Sequence, residues 1–360
     1  MDDRARPGTL SCPVSAMCVA LLASLAGAIA CSPVAADGST RDGDPAVDQA
    51  RIGAVGIVID TSARRIARLV QALGSANNRE AEAAADSLAA IGPAATAALI
   101  PVIQGNDRQA RYLAVKAMAD YGPRASAAVP ALTVVVEQRE YDDQTVDGAI
   151  RALGRIGPAA GAAAPVLARL LDEQIEFPRH EGVYEALSAM GPAAAAALPA
   201  VLRNLASRGA PMAAARIGGP EALTALERAL LTPGWRGTNV GPADIAIAVA
   251  AMGDVGLQAL ERARVADAPS VRSAAIAGYR SSGTAGVSGL VAMLAEPRPC
   301  RSEAFSNEPI ACAAEAARAL AELGPPARAA LPALERLLGE SPDRRTQNAA
   351  REAIASLKKD

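Results

Sequence analysis

Residues 153–167 read LGRIGPAAGAAAPVL. The stretch is almost wholly small or aliphatic, yet it carries two prolines and three glycines. An alanine-rich helix is being broken there, and the same break recurs along the chain. AAIGPAATAALIPVI begins at Ala89, MADYGPRASAAVPAL at Met118, LSAMGPAAAAALPAV at Leu187 and LAELGPPARAALPAL at Leu320. The glycines Gly92, Gly122, Gly157 and Gly191 are separated by 30, 35 and 34 residues. A period in the thirties is the mark of a helical solenoid. Between Gly191 and Gly324 the pattern weakens but keeps time, in ARIGGPEALTALERAL from Ala215, AAMGDVGLQALERAR from Ala250 and YRSSGTAGVSGLVAML from Tyr279. With LVQALGS (Leu69 to Ser75) as a damaged first copy, the count is about eight to nine helix pairs.

The punctuation has a mechanism. Glycine adopts the left-handed backbone that closes a helix. The proline after it lacks an N–H and has its φ fixed, which suits the first turn of the next helix. A second proline follows seven residues later in four copies (Pro130, Pro165, Pro199, Pro332) and eight later in one (Pro101). A proline at that depth is expected to kink or split its helix. Second helices such as TVDGAIRALGRI (Thr145 to Ile156) repeat apolar residues at three and four, as a buried stripe requires. No run reads as a strand, and TVVVEQ from Thr133 falls inside the period and reads as helix. The weak copies between about Arg208 and Gly286 are where a change of curvature is expected.

Composition agrees. Of 360 residues, 51% are hydrophobic and only 2% aromatic. Stacked helix pairs tolerate this, because small residues let helices approach closely and each pair touches only its neighbours. Over roughly residues 60 to 360 the pattern resembles HEAT repeats, and more closely the short HEAT-like repeats found also in phycobilisome lyases. The Asp-then-Arg turn that opens the second helix in HEAT repeats has counterparts in NDRQAR (Asp107, Arg111) and DAPSVR (Asp267, Arg272). The resemblance implies an all-α superhelix whose second helices line a concave face.

Residues 1–30 read as a signal. Arg4 and Arg6 precede the apolar run Val14 to Ala30, which is short for a membrane span. It ends in GAIAC, and small residues before Cys31 resemble a bacterial lipobox, which implies acylation of that cysteine. The alternatives are ordinary cleavage after Ala30 and an uncleaved anchor. Residues 31–58 read as a tether, being rich in Asp, Gly, Ser and Pro at Ser32 to Ala50. Residues 59–360 form the solenoid. Export would leave Cys300 and Cys312, which bracket the insertion RSEAFSNEPIA; an oxidising compartment would join them, and the alternative is two unrelated thiols.

Catalysis finds little support. His180, in PRHEGVYEAL, is the single histidine. Deoxyhypusine hydroxylase, a HEAT-like family, builds a di-iron site from several His-Glu motifs, and one cannot supply it; His180 is expected to be an exposed residue at a helix start. No metal set, catalytic triad or phosphate loop is present, so no enzyme activity, cofactor or metal is expected. The formal net charge is −2, without the basic excess of a nucleic-acid binder. Arg108, Arg111, Tyr112 and Lys116 fall on one second helix and form either a partner-binding cluster or a solvated face. Trp235, in the loop LTPGWRGTNVGPAD, is either a plug over helix ends or a partner contact. The expected function is a monomeric, non-catalytic scaffold. It would be lipid-anchored in the cell envelope and hold a protein or peptide on its concave face. The alternatives are a lyase-like accessory binding a small ligand, with the Trp235 loop as lid, and a structural spacer.

Overall fold

Glycine does close the repeating helices, by a backbone more restricted than the ordinary left-handed cap. Gly122 has φ 55° and ψ −135°, and Gly157 has φ 72° and ψ −138°. That is the mirror image of extended backbone, where a Cβ is strained, so these positions need glycine. The chain leaves the helix sharply enough to start a 3-10 segment at once, Gly122–Ala128 after one helix and Gly157–Ala163 after the next. The glycines of the weak copies, Gly218, Gly253 and Gly283, also have positive φ, at 79°, 73° and 60°.

The 3-10 segment corrects one expectation. The second proline does not kink a helix when it follows by seven. Pro130, Pro165, Pro199 and Pro332 occupy the second position of a fresh α-helix, where no intrahelical N–H is needed. Only Pro101, one residue later in its copy, lies inside a helix.

The computed structural model describes residues 62–138, 142–173, 179–232, 240–302 and 309–359. In chain order the helices are α1 (62–72), α2 (Asn78–Ile91), α3 (Thr96–Ile103), α4 (Arg108–Tyr121), α5 (Val129–Glu137), α6 (Asp143–Ile156), α7 (Ala164–Asp172), α8 (Arg179–Met190) and α9 (Leu198–Arg203). Then follow α10 (Ala210–Ile217), α11 (Gly219–Leu231), α12 (Pro242–Ala250), α13 (Asp254–Arg264), α14 (Pro269–Ser281), α15 (Val287–Leu294), α16 (Cys312–Leu323), α17 (Leu331–Glu340) and α18 (Arg344–Leu357). Each odd-numbered helix from α3 to α17 folds back on the even-numbered one after it, giving eight such pairs among the described residues and an all-α solenoid. Thr133 to Glu137 is helical, within α5.

Even-numbered helices pack against one another far more extensively than odd-numbered ones do. The even-numbered helices thus form the more closely packed layer, here termed the inner layer, and the odd-numbered helices the outer layer. Small residues make the crowding possible. A Cβ on Gly154 of α6 would lie 3.0 Å from the Ala186 Cα of α8, and one on Gly278 of α14 would lie 2.8 Å from the Ala246 oxygen of α12. The core between the layers is aliphatic, with Leu88, Leu99, Met118, Leu132, Ile150, Leu153 and Leu187 fully buried.

Two short strands correct the expectation of none. β1 (Pro299–Ser302) and β2 (Pro309–Ala311) form an antiparallel hairpin in the insertion between α15 and α16. Cys300 and Cys312 are joined in a disulfide at its base. The excursion between the ends of α15 and α16 can satisfy its backbone by pairing with itself, which the helical period could not reveal.

Candidate functional site

The inner layer carries the surface relief. Between α6 and α8 runs a groove of about 670 Å³, with Asp147, Arg151, Arg155, Glu181 and Glu185 on its walls and Ile150, Gly154, Gly182, Ala186 and Ala189 along its floor. A second groove of about 380 Å³ lies between α4 and α6 and shares Asp147, Arg151 and Arg155, adding Tyr112, Lys116 and Asp120. A third, about 260 Å³, separates α14 from α16 and is lined by Ser273, Arg280, Glu315, Arg318 and Glu322. The floors are open because glycine and alanine hold the helices close while the longer side chains stand up on either side.

Some of these charges are spent within the stack. Asp120 of α4 accepts from Arg155 of α6 at 2.8 Å, and Glu322 of α16 accepts from Arg280 of α14 at 2.9 Å. Arg208, just before α10, lies 3.4 Å from Glu181 of α8. On the outer layer Arg169 pairs with Glu137, Arg203 with Asp172 and Arg262 with Glu227. Each of these pairs joins consecutive repeats. Lys116, Arg151 and Glu185 stand exposed on the inner layer and make no ion pair among the described residues.

The cluster read from the sequence is divided by the fold. Tyr112 is 38% exposed and, with Lys116, lines the α4–α6 groove. Arg108 is exposed at the start of α4, its guanidinium 3.6 Å from the Asp142 carboxylate. Arg111 is a correction: it is buried, and its Nη1 donates to the Gly105 carbonyl at 2.6 Å. It lies one turn after Asp107, which caps α4 by accepting from the Gln109 and Ala110 amides at 3.0 and 3.1 Å. An arginine at that offset points back over the turn and ties its carbonyls. Arg272 does the same on a larger scale, donating to the Ala266 and Asp267 carbonyls at 2.6 and 2.7 Å and to the Pro299 carbonyl of β1. The Asp-then-Arg turn is thus structural in both places.

His180 is a second correction, since it is half-buried rather than exposed. It is the second residue of α8 and its ring lies 6.4 Å from that of Tyr184, one turn on. Burial lowers its pKa below the ordinary imidazole value. Burial also pushes the Tyr121 hydroxyl up to about 12, where it donates to the Leu88 carbonyl at 2.7 Å. Glu261 is held below the usual carboxylate range by hydrogen bonds from Tyr279 and Arg264, against the opposing effect of its own burial. These are ties between helices; neither group lines any of the three inner-layer grooves. Among the described residues no three His, Cys, Asp or Glu side chains converge as metal ligands. Cys31 and Trp235 lie outside the described residues, as do the signal and tether. Arg151, Arg155 and Glu185 were missed in the sequence. The signal that could have found them was their fixed distance before the closing glycine, two or six residues.

No protein-family profile matches the sequence, and no curated protein matches it significantly. Several solved structures are similar in fold. An engineered protein is 20% identical over 82% of this chain and 99% of its own, with a TM-score of 0.30. The karyopherin Kap121p, solved bound to the extreme C-terminus of the protein phosphatase Cdc14p, is 13% identical over 81% of this chain and 37% of its own, at 0.48. A designed armadillo repeat protein, solved in complex with the peptide (KR)4, is 16% identical over 81% and 98%, at 0.27.

Proposed function

We propose that this chain is a non-catalytic scaffold that holds another protein, through an extended segment, along its inner helix layer. The observation that carries this is the continuity of the relief: the α4–α6 and α6–α8 grooves lie side by side and share Asp147, Arg151 and Arg155 on α6, so the relief extends across three helices. Relief that crosses repeats suits a chain-like occupant. The 670 Å³ of the wider groove would also admit a small molecule. That volume is the basis for the alternative, a lyase-like accessory role, but the shared walls favour the longer occupant.

The setting we propose is the cell envelope, with the chain exported and anchored through an acylated Cys31. The GAIAC sequence and the disulfide between Cys300 and Cys312 support this, since disulfides persist in oxidising compartments. Intact-mass measurement of the protein from its native membranes tests it; a full-length chain with an unmodified Cys31 would end that part of the proposal. The scaffold itself is tested by placing a photo-crosslinking amino acid at Glu185 on the inner layer or at Arg336 on α17 of the outer layer. Adducts in an envelope extract are expected from the inner position alone. Equal adducts from both positions would refute the assignment.

A further inference from the structure

The inner layer carries one side chain per repeat at a fixed place, the sixth residue before each closing glycine. From α2 to α12 these are Asp86, Lys116, Arg151, Glu185, Met212 and Ile247. Three of them line the two adjacent grooves: Lys116 and Arg151 the α4–α6 groove, Arg151 and Glu185 the α6–α8 groove. Residues four before and after them in the same helices, Asp147, Arg155, Glu181 and Asp120, are engaged in ion pairs or other polar contacts. The middle position is therefore the one left with unspent charge. It also changes character along the stack, from acidic on α2, to basic on α4 and α6, to acidic on α8, to large and apolar on α10 and α12. Met212 and Ile247 are half-buried there, so each still presents surface.

We propose that this row is a ladder that reads an extended peptide of defined order. Resting on the scaffold reading above, the inference adds the occupant's chemistry. Packed helices lie about 8–10 Å apart, and a chain in polyproline II geometry rises about 3.1 Å per residue with three residues per turn, so that every third side chain faces the same way. One rung thus corresponds to three residues of the occupant. Complementary charge places acidic side chains over Lys116 and Arg151 and a basic one over Glu185. Apolar side chains then fall over Met212 and Ile247, where burying them removes surface from water on both partners. The occupant is a segment with two acidic residues three apart, then a basic residue and two apolar ones at the same interval. Tyr112, beside the Lys116 rung, supplies an aromatic face at the entrance of the acidic end.

The test uses the full chain and fluorescein-labelled synthetic peptides of about fifteen residues, read by fluorescence anisotropy. One pair carries Glu, Glu, Lys, Leu and Leu at three-residue intervals, in both chain directions, with Ser and Ala between. A second set scrambles the same composition. A third reverses the charges. One direction of the ordered peptide is expected to bind at least tenfold tighter than its scrambles. Arg151→Glu is expected to abolish that preference, and the charge-reversed peptide to bind Lys116→Glu/Arg151→Glu/Glu185→Lys better than the parent. All three positions are exposed, and circular dichroism of each variant checks that it folds. Equal binding of ordered and scrambled peptides, no binding by any peptide, or an unaltered preference in Arg151→Glu would overturn the ladder. If crosslinks at Glu185 persist in those cases, the scaffold stands and only its code has failed; if both are lost, the scaffold falls as well.

Discussion

Gly278→Ala and Gly182→Ala are the same substitution in helices of the same layer, and they should have opposite effects. In a helix interior alanine is favoured over glycine by about 1 kcal/mol. At Gly182 in α8 a new Cβ meets only the Ile150 Cγ2, at 3.9 Å, an ordinary contact, so most of that gain should be realised. At Gly278 in α14 the new Cβ would lie 2.7 Å from Leu260 Cδ1 and 2.8 Å from the Ala246 carbonyl oxygen. The leucine tip can rotate, but the backbone oxygen moves only if α12 and α14 separate. Overpacking of this kind costs about 1–3 kcal/mol, and the rigid partner favours the upper half of that range. The net expectation is a loss of about 1–2 kcal/mol, near tenfold in an opening equilibrium. Gly154→Ala, whose Cβ would lie 3.0 Å from the Ala186 Cα, should fall between the two. Long repeat arrays unfold piecewise, so a single melting temperature is a poor readout. Amide hydrogen exchange is better: α12 and α14 should exchange about tenfold faster in Gly278→Ala, and α8 should exchange more slowly in Gly182→Ala. If Gly278→Ala protected its helices as well as Gly182→Ala protects α8, close helix approach would not be what holds the inner layer together.

Other perturbations test the ties between repeats. Arg272→Met should cost about 3 kcal/mol in urea titration, because three carbonyls lose a charged donor in a buried site. Arg272→Lys should not recover it, since an ammonium cannot span them; an unchanged midpoint in either variant would contradict the clamp. Replacing Cys300 and Cys312 together with serine should remove about 3 kcal/mol, with faster exchange confined to α14–α16; exchange spread through the whole array would count against a local role. His180 binds its proton less readily folded than unfolded, so the unfolded state takes up more protons as pH falls through 6.5. Stability should therefore decline from pH 7 to 5.5 and be flatter in His180→Phe; equal slopes would exclude this assignment. The segment α9–α14 should exchange faster than α4–α8, because α9 and α10 are only six and eight residues long; uniform protection would argue against a weak centre.

The repeat was legible because its punctuation is chemical. A glycine at positive φ followed by proline has few conformations open to it; eight positive-φ glycines mark the unit boundaries from Gly92 to Gly324, and five of them are followed directly by proline. The short stretch between the two prolines was not legible. Seven residues make two turns of 3-10 helix, and nothing in AAGAAA distinguishes that from one α-helix bent by proline. The hairpin was hidden for a different reason, since β1 and β2 are held by pairing with each other and by the disulfide rather than by alternation of apolar residues. Arg111 was misplaced because proximity in sequence to Tyr112 was read as proximity on the surface. Adjacent helical residues point about 100° apart, so one faces the turn and the other the groove. Lys116 and Tyr112 lie one turn apart on the same side, and both line the α4–α6 groove.

The outer ion pairs have an evolutionary reading. Helix α7 carries both Arg169, which reaches back to Glu137, and Asp172, which receives Arg203 from the following unit. That unit has a cation for its predecessor and an anion for its successor. Excising one whole unit would bring Glu137 opposite Arg203, and duplicating one would add a matched couple. Gain or loss of this unit as a whole would thus leave no orphaned charge. The array can change length by whole units under selection, while loss of a fraction of a unit would break both the helix layer and the charge handshake.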